Sequence, residues 1–339
     1  MSGTAFGSGR LRAPFFVRDR TALAAAVALA AGTAAAAQDR PRLALPLDCT
    51  LGQDCYIQQY VDRDPGPGVR DFACGRLAND GHKGTDIALP TEAEMRGGVA
   101  VLAAAPGTVA RLRDGMPDIR QGTPGAPDVT GRDCGNGVVV HHGGGWETQY
   151  CHLRQGSVAV RPGQRVAAGA RLGLVGMSGA ASFPHLHLSV RHEGRVVDPF
   201  RPEAGPGCGG PEGALWAAPV DYDSGRLLSA GLTDGVPDYD AIKAGLPEDG
   251  LGPAAPAAVL WAYVANGQAG DVIAFEIMAP DGPFGREEIV LERDQPFLFR
   301  AWGRRAPPGG LPAGRWEGRA LLRRGDTVLG ETLVTATLP

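Results

Sequence analysis

Glycine and proline break this chain so often that long regular helices are excluded over most of its length. The 339 residues include 51 Gly and 28 Pro, more than a fifth of the total, where average usage gives about 12%. Hydrophobic residues still make up 43%, so a core can be buried. The runs between breakers are short, and several alternate or are rich in β-branched residues. Such runs read as strands, with the glycines and prolines as their turns. The length itself allows two domains of ~150 residues each.

The strand pattern falls into two blocks. In the first, the candidates are Val99–Ala103, Thr108–Leu112, Gly137–His142, Glu147–His152, Ser157–Val160, Leu172–Val175, His185–Arg191 and Val196–Asp198. Residues 113–135 are polar and rich in Gly, Pro and Asp, which reads as a long loop; loops of that length in compact domains are often functional. Residues 38–81 read as an extended lead-in packed on the domain at 82–200. The stretch 201–213, with Cys208-Gly209-Gly210-Pro211, reads as a linker. Beyond it, 214–339 offers Val259–Val264, Asp271–Met278, Glu288–Glu292, Pro296–Trp302, Arg315–Arg323 and Thr327–Thr337, with a hairpin turn at Arg324-Gly325-Asp326. Strands at this spacing without crossover helices predict an Ig-like β-sandwich. Its aromatics, Trp261, Tyr263, Phe275, Phe297, Phe299, Trp302 and Trp316, are expected in its core. The expected class is therefore mainly β, an antiparallel sheet domain followed by a sandwich.

Residues 1–37 read as a secretory signal peptide. Arg10, Arg12, Arg18 and Arg20 precede the apolar, small-residue stretch Ala22–Ala31, and Ala35-Ala36-Ala37 fits a cleavage site. Arg18-Asp19-Arg20 is not a twin arginine, which favours the general secretory route. An uncleaved N-terminal anchor is the alternative. No later stretch is apolar enough to span a bilayer, so no stable membrane insertion is expected after cleavage, and the product is expected to be periplasmic or secreted. The formal net charge of −4 argues against nucleic acid as the main partner.

Export makes six cysteines a disulfide framework with 15 possible pairings. Cys49 and Cys55 can close a small loop. Cys134 and Cys151 flank a hairpin turning at Gly143-Gly144-Gly145. Cys74 and Cys208 remain as the third pair. A zinc-thiolate site is the rival, but the sequence has no C-x-x-C pair.

All seven histidines, His82, His141, His142, His152, His185, His187 and His192, lie in the first block. In His82-Lys83-Gly84-Thr85-Asp86, the imidazole and carboxylate can meet on one ion if Gly84 permits a bend. In His185-Leu186-His187, strand geometry puts both rings on one side ~6.6 Å apart. On the strand Tyr150-Cys151-His152-Leu153, Tyr150 and His152 are expected to share a face. Taken singly, each pattern is more often structural. Together they match catalytic zinc, which uses three N/O ligands and keeps one position open. His141, His142 and His192 are left as structural or surface residues, with His142 near the site.

The motifs His82-x-x-x-Asp86, Tyr150-x-His152-Leu153 and Gly176-x-Ser178-Gly179…Pro184-His185-Leu186-His187 resemble those of the LytM/lysostaphin-type zinc metallopeptidases. The Gly135-Asn136-Gly137-Val138-Val139-Val140 run and the Val160–Gly169 segment fit the same resemblance, which covers His82–Pro199. It implies Zn2+ held by His82, Asp86 and His187, with His152 and His185 as catalytic histidines. It also implies cleavage of peptide cross-links in bacterial peptidoglycan. Two positions depart from the family pattern: Cys151 and Phe183 stand where small residues are commoner. Two rival readings remain. One is a non-catalytic or latent relative that binds the wall or activates an amidase; the other is a metal protein with a different reaction. The 214–339 domain could target the wall, dock a partner or contact the peptidase domain.

Overall fold

The computed structural model describes residues 40–203, 205, 207–245, 250–252 and 254–339. The expected signal peptide lies outside the described residues. Among these residues, no helix is long and apolar enough to cross a membrane.

The chain is mainly β, as expected. Its first part runs β1 (Tyr56–Gln59), β2 (Thr85–Ala88), a short helix α1 (Glu92–Gly97), β3 (Ala100–Leu102), β4 (Gly107–Arg113), β5 (Asn136–Gly143), β6 (Trp146–Leu153), β7 (Arg165–Val166), β8 (Arg171–Leu174), β9 (His185–His192) and β10 (Arg195–Val197). One antiparallel sheet has the order β1-β2-β9-β6-β5-β4-β7, with β10 paired to β9, and β3 pairs with β8 separately. Strand β9 shows why the sheet is two-faced. Leu186, Leu188 and Val190 are buried in the first core, while His185, His187 and Ser189 alternate onto the opposite face.

Several local expectations needed revision. Ser157–Val160 is not a strand; it bends through Gly163 toward β7 and meets β8 at two points, the Ala159 N–H donating to Leu172 O at 2.9 Å and Ser157 Oγ accepting from Leu174 N at 3.1 Å. Strands β1 and β2 and helix α1 were not anticipated. The helix carries a capping box: Thr91 accepts from Ala93 N, and the Glu94 side chain accepts from Thr91 N. The chain also leaves the first core later than 201–213. Leu215 and Trp216 are buried with Leu43 and Leu47, because Leu43 N donates to Leu215 O and Ala217 N to Leu43 O. Tyr60, Phe72, Phe200 and Tyr222 form one ring cluster with centroids 4.6–5.6 Å apart.

After Tyr222 the chain enters the second core. Strands β11 (Arg226–Thr233), β12 (Ala257–Gly267) and β15 (Gln295–Arg305) form one sheet. Strands β14 (Gly282–Val290), β13 (Val272–Ala279), β16 (Gly314–Arg324) and β17 (Thr327–Leu338) form the other. Between the sheets lie Leu260, Val264, Ile273, Phe275, Ile277, Leu298, Trp316 and Leu322. Gly325 takes the left-handed conformation in the β16–β17 turn, as the sequence predicted. A second short helix, α2 (Tyr239–Ala244), lies between β11 and β12.

The three disulfides are Cys49–Cys55, Cys74–Cys208 and Cys134–Cys151. Their separations are 6, 134 and 17 residues. In the chain-entropy account, stabilisation grows with the logarithm of loop length, giving about 5 kcal/mol for the longest and about 2 kcal/mol for the shortest. Replacing Cys74 and Cys208 by Ala should therefore lower the unfolding free energy about twice as much as replacing Cys49 and Cys55, measured by urea titration.

Candidate metal centre

The centre is assembled by strand register. Antiparallel pairing of β2 with β9 sets Asp86 opposite His187 and Ala88 opposite His185. His82 enters from the connection just before β2. Its Nε2 lies 3.3 Å from Asp86 Oδ2 and 3.2 Å from His187 Nδ1, which is 2.8 Å from Asp86 Oδ1. One nitrogen or oxygen from each of His82, Asp86 and His187 thus lies within 4.8 Å of the others. Two imidazoles and one carboxylate form a donor set suited to zinc.

The remaining ring atoms are also engaged. His82 Nδ1 faces Tyr60 O at 2.7 Å, so Nδ1 carries the proton and Nε2 presents a lone pair. His187 Nε2 is held by Ser189 Oγ at 3.1 Å, leaving Nδ1 toward Asp86. Such outer contacts fix ring orientation at metal sites. Gly84 matters here for a different reason than expected. It does not use a left-handed conformation; instead, a Cβ placed on it would lie 2.5 Å from His187 Nε2 and 2.8 Å from Leu188 O. Close approach of the loop to β9, not bending freedom, requires glycine.

His152 corrects the reading of its strand. Tyr150 faces the core, its hydroxyl accepting from Ala104 N at 2.7 Å, whereas His152 borders the same groove as Cys151. The two do not share a face. A bulge sets Cys151 and His152 opposite Gly137, and His152 takes a left-handed φ of 64°. This reverses the alternation and turns a core-facing position outward. Its backbone N–H donates to Cys134 O at 2.9 Å, and its Nδ1 lies 2.8 Å from Ser178 O. Ser178 is fully buried, donating to Leu153 O at 2.7 Å and accepting from Asn136 N at 2.9 Å. His185 Nδ1 is likewise tied to Phe183 O at 2.9 Å. Both rings therefore protonate at Nδ1 and leave Nε2 free. Their centroids lie 4.6 Å apart.

Charge separates the roles. Burial opposes ionisation of Asp86, but the imidazoles of His185, His82 and His187 outweigh it and hold the carboxyl well below its usual range. Burial, reinforced by His185 and His187, pushes His152 well below the ordinary histidine value. Burial also lowers His185 against the pull of Asp86. For His82 the order is reversed, with Asp86 overcoming burial and raising it. At neutral pH the carboxylate is an anion and His152 and His185 are neutral bases.

The groove over these residues has a volume of about 570 Å³ and is also lined by Lys83, Asp133, Gln149 and Arg191, which sequence reasoning had not singled out. Gln149 and Arg191 come there by their strand positions on β6 and β9, and Lys83 and Asp133 from the loops before β2 and β5. His141, His142 and His192 stay outside it. His142 is held by Pro106 O and Thr148 Oγ1 at 2.7 and 2.8 Å, away from the centre. Cys49, Asp54 and Cys55 also cluster, but the two sulfurs are bonded to each other and offer no thiolate. Gly84→Ala should weaken zinc binding at least tenfold in a competition titration with a chromogenic chelator, with little change in the far-ultraviolet circular dichroism spectrum.

Comparison with known proteins bears on the same segment. Residues 80–199 match Peptidase family M23. Peptidoglycan DD-endopeptidase ShyA of Vibrio cholerae is 33% identical over 120 residues, covering 35% of this chain and 22% of that protein. Cell division protein DipM of Caulobacter vibrioides is 41% identical over 68 residues, covering 20% of this chain and 11% of that protein. The chain thus matches under a quarter of either relative's length. The solved catalytic domain of the prophage-encoded M23 protein EnpA from Enterococcus faecalis is 23% identical, covering 44% of this chain and 92% of that one with a TM-score of 0.31. The resemblance read from the motifs is borne out over residues 80–199, which match Peptidase family M23.

Proposed function

We propose that this protein is an exported zinc metalloendopeptidase that hydrolyses peptide cross-links of bacterial peptidoglycan. The observation that carries this reading is the convergence of His82 Nε2, Asp86 and His187 Nδ1 beside two neutral imidazoles in an open groove. The donor set fits zinc in type, number and outer support, and those three residues would hold it. When bound, zinc would supply Lewis acidity that acidifies water and polarises a carbonyl. The substrate class is supported by the relative named as a peptidoglycan DD-endopeptidase. Three disulfides support an oxidising compartment, periplasmic or extracellular.

The chain's own residues would supply the proton chemistry. His152, its Nδ1 proton committed to Ser178 O, would accept a proton from the attacking water at Nε2. His185, committed to Phe183 O, would hold its Nε2 toward the reacting carbonyl. Once protonated, either ring would donate to the developing oxyanion or return the proton to the leaving amine. Their depressed basicity keeps both rings neutral before attack.

Digestion of purified peptidoglycan, with products identified by mass, tests the reading. Cleaved cross-links with intact glycan strands are expected, with loss of activity on chelation and recovery with Zn2+. His82→Ala, Asp86→Ala and His187→Ala should lose bound zinc and activity together. His152→Ala and His185→Ala should retain zinc while kcat falls ~10²- to 10⁴-fold, the range of general acid–base catalysis. Full activity in His187→Ala would overturn the assignment.

A further inference from the structure

The groove has a wall that residues 80–199 do not supply. Pro296 and Phe297, at the start of β15 in the sandwich, border it together with Phe183 and His185. The Phe297 ring lies 5.0 Å from Phe183, and Phe183 stacks on His185 at 4.2 Å and 23°. Three rings therefore run from the sandwich to a candidate catalytic imidazole. Phe297 does not belong to the sandwich core, where the sequence had placed it. It packs at the junction with Tyr56, Ala88, Ala265 and Phe183.

This wall is fastened rather than hinged. Gln58 Nε2 donates to Asn266 Oδ1 at 2.7 Å and to Pro296 O at 3.1 Å, and Asn266 Nδ2 donates to Gln58 O at 3.0 Å. Gln58 is 1% exposed and Asn266 5%. Pulling the sandwich away would break these three hydrogen bonds and expose the apolar seam of Tyr56, Ala88, Ala265, Phe183 and Phe297 to water. A second clamp sits on another edge. Arg120 pairs with Glu92 of α1 and, at 2.9 Å, with Asp240 of α2, while Arg96 donates to Ala244 O at 2.7 Å.

Phe183 and Phe297 are the two large apolar side chains on a groove whose lining is otherwise mostly polar, with only Pro296, Ala180 and the Cys134–Cys151 bridge as smaller apolar groups. We infer that they form an apolar shelf that seats an aliphatic side chain of the peptide substrate beside the scissile bond, so that the C-terminal sandwich sets substrate preference. The stack of Phe183 on His185 keeps the shelf within about one residue of the bond attacked. A glycine at that substrate position would leave the shelf uncovered. The inference rests on reading the groove as a peptidase site, and the test separates the two.

The full chain, Phe297→Ala and Phe297→Gln are compared on synthetic peptides carrying leucine or glycine on either side of the cleavable bond. kcat and KM are measured from products, and calorimetry measures binding of the same peptides. The wild type should prefer leucine at one of the two positions about tenfold in kcat/KM, within the range for burying one apolar group. Phe297→Ala should lose that preference through KM for the leucine peptide, with the bound zinc unchanged. Phe297→Gln keeps bulk in the seam and decides the matter if the alanine variant melts at lower temperature. An unchanged leucine preference in Phe297→Gln would overturn the shelf, as would no preference in the wild type. Binding preference lost on Phe297 substitution, without cleavage by any form, would sustain the shelf and sink the peptidase reading.

Discussion

The antiparallel register of β9 is the constraint on which the rest depends. This strand is paired on both sides, with β2 and with β6. Its apolar residues Leu186, Leu188 and Val190 have to face the core. A slip of one residue would bury two imidazoles and expose those three side chains, so the hydrophobic face enforces the register. The same register sets Asp86 opposite His187 and Cys151 opposite His187 from the other side. Folding stability and the meeting of the candidate metal donors are therefore one requirement. The carboxylate needs no separate device to hold it near its partners.

That His82, Asp86, His152, His185 and His187 meet in one groove was legible because their local spacing sits in short segments. His185 and His187 follow from strand period alone. His82 and Asp86 follow from a four-residue spacing across Gly84, although steric contact with His187, not bending, is what demands glycine. What could not be read was the face of His152. Alternation assigns it to the core with Tyr150, and only a bulge with a left-handed residue turns it outward. That conformation is uncommon outside glycine and leaves no clear mark in the sequence. Helix α1 was not read: Thr91 and Glu94 make a capping pattern, but at six residues the helix lacks a full apolar period to signal it.

The second core was legible as a sandwich because its strands are long and its turns are marked. Its orientation was not. Strand β12 is buried over nearly its whole length, so both faces look like core. One face does lie between the sheets. The other carries Tyr263 and pairs with the face of β15 that bears Phe297 and Phe299, where Tyr239 of α2 stacks on Phe299 at 5.1 Å. A sequence pattern reports that a residue is buried but not against which partner. Phe183, an oddity beside a histidine motif, has its counterpart in Phe297 more than a hundred residues away.

The bond between Cys134 and Cys151 spans the bulge that seats His152. One partner immediately precedes that histidine, and the other supplies the carbonyl that receives its backbone proton at 2.9 Å. The seating of His152 is thereby a property of the oxidised chain. In a reducing environment the thiols would separate, and the bulge would be held by backbone hydrogen bonds alone. The same two sulfur atoms that brace the sheet thus couple the seating of the His152 ring to the redox state of its surroundings.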